Sequence, residues 1–189
     1  MGDLIRSFLC LELPAMTRQA LEDETFFLRT TYPAFKWVST DALHITLKFF
    51  GEQEREFLDL FAESLEERLE VLQLEALRFS CGPLGAFPDM RRVQTLTVEV
   101  LGDLFPLQAL AVLVEDVAEM HGIPREKRFF KPHITLARTR RPETVDQQIV
   151  FPKRKIEWKA DTVTLMKSTL KPTGPVYAPI RNWRFLKNG

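Results

Sequence analysis

An α+β fold is predicted for these 189 residues: two pseudo-symmetric lobes of duplicated sheet, helices on the outer faces, and one central groove. Three observations predict it. Stretches of strand-like alternation and stretches of helical spacing succeed one another as strand–helix–strand units in two halves. Each half carries the same phrase, His44-Ile45-Thr46-Leu47 and His133-Ile134-Thr135-Leu136, 89 positions apart (133 − 44). No long linker of the kind that separates independent domains breaks the chain, so residues 1–189 are expected to form a single two-lobed domain.

The elements follow in order. Leu4–Leu13 reads as a buried strand stopped by Pro14. Residues 15–30 read as a helix with Ala20, Leu21, Phe27 and Leu28 on its apolar side. Phe35–Val38 is a short extended piece, and Ser39-Thr40-Asp41 is turn chemistry. The strand Leu43–Phe50 sets Ile45, Leu47 and Phe49 on one face and His44, Thr46 and Lys48 on the other, with Gly51 as its end. Glu52–Leu72 is an amphipathic helix, with Phe57, Leu58, Leu60, Phe61, Leu65, Leu69 and Leu72 near helical spacing. Leu74–Phe79 and Val93–Val100 read as strands around a Gly/Pro-containing loop, Cys81–Asp89. Phe105–Met120 is a helix closed at His121-Gly122 by a C-terminal glycine. Pro132 precedes the second motif strand, and Arg138–Gln148 reads as a basic turn with a short helix. Residues 153–159, 161–170 and 181–186 complete the strands, broken by Lys171-Pro172-Thr173-Gly174-Pro175.

Composition narrows the function classes. With 45% hydrophobic residues and 15 Phe there is ample material for a core. A formal net charge of zero argues against an indiscriminate nucleic-acid coat, but the charges are unevenly placed. Residues 52–75 hold nine acids against two bases, and residues 125–141 hold seven bases against Glu126 alone. That cationic run brackets His133 and suits a phosphate ligand, although such runs also serve as solvated faces. Cys10 and Cys81 form no metal-ligand spacing and read as reduced, inert thiols. No secretory signal or membrane-length apolar run is found, and a myristoylation motif at Gly2 fails because Arg6 stands where Ser or Thr is needed. A cytoplasmic monomer that does not engage membranes is the expectation.

A strand puts residues i and i+2 on one face, so each motif sets a His and a Thr together while Ile and Leu anchor the opposite face. Side by side, the two strands would line one groove with two imidazoles and two hydroxyls. One histidine so placed is commonly structural. Two of them, each with an unperturbed pKa of about 6.5, make an acid and a base. Opening a cyclic phosphate needs both: attacking water loses a proton while the departing sugar oxygen gains one. Thr46 and Thr135 can donate to the non-bridging oxygens. A zinc site would want further ligands that neither motif has nearby, Asp41 being the only close carboxylate. No nucleophile elbow, P-loop or dinucleotide fingerprint occurs, and His121 reads as a helix-end residue.

These residues resemble the two-histidine phosphoesterase superfamily, and within it the RNA 2′,3′-cyclic phosphodiesterases, also called 2′-5′ RNA ligase-like proteins. The resemblance covers nearly the whole chain: I-R-S-F-L-C-L-E-L-P, F-K-W-V, L-H-I-T-L-K-F-F-G-E, G-A-F-P-D, F-K-P-H-I-T-L-A-R and S-T-L-K-P-T-G-P-V-Y. It implies metal-independent, cofactor-free opening of RNA 2′,3′-cyclic phosphate ends to a 2′-phosphate. It assigns His133 as proton acceptor, His44 as proton donor, and Thr46, Thr135 and Arg138 as phosphate-binding. Simple parity puts Arg138 on the Ile134 face, so its role requires the strand to end or twist there. Lys48 shares the His44 face and could reach a phosphate or sit as a rim lysine. Phe130 and Phe49 could stack a base, with core packing the alternative for each. After G-A-F-P the family usually carries a tryptophan-containing strand, where this chain has Gln94-Thr95. Two other functions fit the same residues: a non-catalytic nucleotide- or RNA-binding module, and a cyclic phosphodiesterase acting on a non-RNA nucleotide metabolite.

Overall fold

A computed structural model describes residues 3–172 and 174–186. Gly2 and Thr173, on which two of the sequence readings fall, lie outside the described residues. The chain runs β1 (Ile5–Glu12), α1 (Ala15–Thr31), β2 (Lys36–Trp37), β3 (His44–Gln53), α2 (Arg55–Leu72), β4 (Leu77–Phe87), β5 (Val93–Gly102), α3 (Leu104–Met120), β6 (His133–Glu143), β7 (Glu157–Ala160), β8 (Thr162–Lys171) and β9 (Gly174–Arg184). Eight strands lie in the order β7-β4-β5-β6-β3-β1-β8-β9, with β2 paired to β6. Every neighbouring pair among these strands is antiparallel.

The order is symmetric about its centre. The motif strands β3 and β6 meet at a single antiparallel pair, Ile45 opposite Ile134. Each is flanked by the opening strand of its own half, β1 beside β3 and β5 beside β6. The next strands are exchanged: β4, which follows α2, lies beside β5 of the second half, and β8 lies beside β1 of the first.

One face of the sheet carries the core. Leu9, Leu11, Ile45, Leu47, Val98, Val100, Ile134 and Leu136 pack there with Leu21 and Leu28 of α1, Phe61 and Leu65 of α2, and Leu110 and Val114 of α3. Ile45 and Ile134 are wholly buried; a side chain so enclosed stabilises by about 1.5–3 kcal/mol. The opposite face is left for the groove.

Several sequence expectations are corrected. Cys81–Asp89 is not a loop up to Phe87: β4 runs through it, shifted in register between Cys81 and Leu84. Its glycines serve packing, since a Cβ on Gly85 would stand 2.9 Å from Thr97 Oγ1. Arg138–Gln148 forms no helix, because β6 continues to Glu143 and pairs it with Val93. Gly51 does not end β3; at φ 72° it takes a left-handed conformation that glycine adopts without strain, and the strand goes on to Gln53. Within residues 153–159 strand begins only at Glu157. Phe27 and Leu60 face solvent. The closure of α3 is as expected, with Gly122 at φ 86° donating to Glu119 O.

The most consequential departure is a pair of β-bulges. On β3 the register with β1 jumps past Leu47, and on β6 the register with β5 jumps past Leu136. Each bulge reverses the alternation of the residues after it. Lys48 therefore turns to the buried side and Phe49 to the groove; in the second half Ala137 is buried and Arg138 is exposed.

Candidate active site

Antiparallel pairing about Ile45 and Ile134 sets Thr135 opposite His44 and His133 opposite Thr46. The two imidazoles and two hydroxyls thus form a square on the groove face, at the point where the halves meet.

Both rings are held the same way. His44 Nδ1–H donates to Ala42 O at 2.7 Å, and His133 Nδ1–H donates to Lys131 O at 2.8 Å. Each carbonyl belongs to the residue two positions earlier. With Nδ1 engaged as donor, Nε2 is the nitrogen left to gain or lose a proton in both rings. His44 Nε2 lies 3.0 Å from Thr46 Oγ1.

The surroundings of the rings differ. His44 packs against Phe8 (centroids 4.8 Å apart) and meets Tyr177 edge-on at 5.5 Å. His133 meets Phe87 at 5.1 Å. Burial lowers the pKa of each imidazole below its ordinary value, and the Arg138 guanidinium pushes both further down. Glu12, opposite His44 in the β1–β3 ladder, acts the other way on His44. Burial raises the Tyr177 hydroxyl.

Two adjoining clefts flank the square. One, of about 400 Å³, is lined by His44, Thr46, Thr135, Trp37, Ser39 and Tyr177 among others. The second, of about 600 Å³, holds His133 with Phe87, Thr95, Arg128, Phe129 and Phe130. Phe49 and Arg138 belong to both. Arg138 reaches the groove because of the bulge at Leu136, and its guanidinium donates to Thr95 Oγ1 at 3.1 Å. All five sequence-derived candidates, His44, Thr46, His133, Thr135 and Arg138, therefore line one continuous site.

Lys48 does not join them. The bulge carries it to the interior, where its ammonium donates to Glu115 at 2.6 Å and to Pro124 O at 3.0 Å. Phe49 is 58% exposed and is not a core residue, whereas Phe130 packs half-buried against the core. His121 stays at the helix end, 2.9 Å from the Ser64 hydroxyl. Burial pushes both cysteine thiols up, in keeping with inert groups. Among the described residues no three His, Cys, Asp or Glu side chains converge as metal ligands, and no helix is long and apolar enough to cross a membrane.

Sequence reasoning missed Glu12 and Glu99, which stand opposite His44 and His133, and the ring of Tyr177. A signal for the glutamates exists: Phe8-Leu9-Cys10-Leu11-Glu12 and Thr95-Leu96-Thr97-Val98-Glu99 form a second, weaker repeat on β1 and β5. Its members pair with the motif residues in the same order in both halves.

Comparison with known proteins gives a consistent result. A sequence model of the 2′-5′ RNA ligase superfamily matches residues 19–172. An RNA 2′,3′-cyclic phosphodiesterase of Thermus thermophilus is 34% identical over 184 residues, covering 95% of this chain and 89% of the relative. One from Archaeoglobus fulgidus is 33% identical over 151 residues, covering 77% and 81%. Among solved structures, TT0787 of Thermus thermophilus matches with a TM-score of 0.79 at 30% identity, over 96% of this chain and 98% of that one. E. coli LigT complexed with 3′-AMP shares the fold at 23% identity, with a TM-score of 0.77 over 96% and 98%.

Proposed function

The chain belongs to the 2′-5′ RNA ligase superfamily, and we propose that it is an RNA 2′,3′-cyclic phosphodiesterase in which His44 and His133 work as acid and base without a metal. The observation that carries this reading is the square of two imidazoles and two hydroxyls, with Nδ1 of each ring engaged by a carbonyl and Nε2 left to transfer protons.

In the proposed reaction the cyclic phosphate lies between the rings. His133 Nε2 accepts a proton from water as its oxygen bonds to phosphorus. The P–O3′ bond breaks, and Nε2–H of the doubly protonated His44 ring delivers a proton to O3′, leaving a 2′-phosphate and a free 3′ hydroxyl. Solvent then returns both rings to their starting forms. Thr46, Thr135 and Arg138 donate to the non-bridging oxygens, where charge concentrates. The choice of His44 as acid and His133 as base follows the family resemblance; Glu12 favours the protonated His44 ring, against the larger effect of burial, which disfavours the charged form of both rings. The same reading takes residues 1–189 as one two-lobed unit around one groove, acting as a cytoplasmic monomer.

The test is incubation with a 2′,3′-cyclic mononucleotide in excess EDTA, followed by phosphorus NMR. A 2′-phosphate product and a bell-shaped pH profile are expected. Activity lost in EDTA and restored by a divalent metal would remove metal independence. Binding without turnover would leave a nucleotide-binding module.

A further inference from the structure

The cleft beside His133 is far larger than a nucleophilic water needs: about 600 Å³ against roughly 30 Å³ for one water. Its walls are aromatic and exposed. Phe129 is 94% exposed, Phe49 58% and Phe87 39%. Large apolar rings gathered around one cleft and left in water mark a surface that something covers.

The segment bearing Phe129 is tied down. Glu115 on α3 accepts from both Lys48 and the Glu126 backbone N–H, Lys48 also holds Pro124 O, and Arg125 pairs with Asp116 and Glu119. Phe130, the next residue, is anchored against the core. Phe129 is thus presented on a braced segment. Around it, Lys127, Arg128 and Lys131 take part in no ion pair among the described residues, and Arg138 closes the cleft toward the histidines. Two acids also line it, Glu126 and Glu115, the latter already held by Lys48. Rings for stacking and unpaired cations for a backbone are the two components of a single-stranded nucleic-acid site.

We propose that this cleft seats the nucleotide preceding the terminal one in a single-stranded RNA, its base on Phe129 and its phosphate near Arg128, so that the protein favours an oligonucleotide over a mononucleotide. The inference rests on the phosphodiesterase reading and sharpens it, because a small cyclic-phosphate metabolite has no second nucleotide to place there. Phe49 and Arg138, shared by both clefts, provide a continuous surface along which the strand passes between them.

The experiment compares kcat/KM for a trinucleotide and a mononucleotide, each ending in a 2′,3′-cyclic phosphate. A wild-type ratio of about tenfold or more is expected, the scale of one base on an aromatic ring. Phe129→Ala brings the ratio toward one and Phe129→Trp keeps it. Phe105→Ala, which removes an equally exposed phenylalanine lining a different groove, leaves it unchanged. Arg128→Gln lowers the salt slope of trinucleotide binding by about 0.7. A wild-type ratio near one, or a ratio untouched by Phe129→Ala, overturns the proposal. If wild type opens neither substrate, the catalytic reading fails and binding decides the cleft: anisotropy of a labelled trinucleotide must weaken about tenfold in Phe129→Ala, and equal affinities overturn the assignment.

Discussion

The two halves carry H-I-T-L-K-F and H-I-T-L-A-R on equivalent strands, bulged at the equivalent leucine, and then use the last two positions differently. The residue after each bulge turns inward. In the first half it is Lys48, committed to Glu115; in the second it is Ala137, which simply packs. The next residue turns to the groove, as Phe49 in one half and Arg138 in the other. The shared backbone supplies two equivalent histidine positions, each ring anchored through Nδ1. The residues that differ supply one guanidinium in the groove, one apolar wall and one ion pair on the inner side. Backbone geometry thus sets where a side chain can act, and asymmetry of role is added one residue at a time.

The sharpest way to break the comparison is at the histidines. His44→Gln and His133→Gln should each lower kcat by about 10²–10⁴-fold. If the roles are unequal, residual activity of His133→Gln loses the acid limb of the pH profile and that of His44→Gln loses the alkaline limb. The same limb lost in both would mean that the halves are functionally interchangeable. In the wild type both limbs should lie acid of an ordinary imidazole, because burial favours the neutral ring in each.

Next comes the inward position. Lys48→Met leaves the partly buried Glu115 without its ammonium and should cost about 2 kcal/mol in urea unfolding. Lys48→Met combined with Glu115→Leu should recover most of that loss. A single variant as stable as wild type would show that the pair adds nothing that alanine in the other half lacks.

The groove position follows. Arg138→Gln should reduce kcat/KM by about 10- to 100-fold, the scale of one hydrogen bond to a charged group. Phe49→Leu should cost about fivefold or less, mainly in KM. Comparable losses in both would contradict the division between anion binding and apolar contact.

The smallest effect is on stability. Both histidines have lowered native pKa values, so the unfolded chain binds more protons near neutrality. Their contribution is present above the unfolded value of about 6.5 and is lost as pH falls through it toward the lowered native values. Thermal scans between pH 7.5 and 5, on the order of the imidazole range, should show a shallower decline for a His44→Gln/His133→Gln variant than for wild type.

The sequence was most legible where periodicity and chemistry agreed. His44, Thr46, His133 and Thr135 could be set on one face because two residues of clean alternation carry them there, and Ile45 and Ile134 lie in the core as that pattern requires. It became illegible one residue later, since an extra residue in a ladder leaves no compositional mark. Parity therefore put Lys48 and Arg138 on the wrong faces. The glycines between Cys81 and Asp89 suggested a loop because their other use, making room for side chains on the neighbouring strand, depends on a partner far along the chain. Arg138–Gln148 suggested a turn with a short helix for the same reason: Arg138–Glu143 is extended in β6, and the pairing of Glu143 with Val93 is a tertiary fact. The paired glutamates were visible in principle as a repeat, but only once β1 and β5 were known to be equivalent.

The exchange of β4 and β8 has a consequence for how the chain can be divided. A cut in the turn between β4 and β5 yields two pieces, each holding one motif strand and one half of the groove. The amino-terminal piece keeps β4 without β5 and β7, and the carboxy-terminal piece keeps β8 without β1. Each fragment thus carries the tongue that fits the other's slot. Produced separately and mixed, they are expected to recombine through these exchanged strands, and the return of turnover would make the split chain a reporter for bringing two fused proteins together.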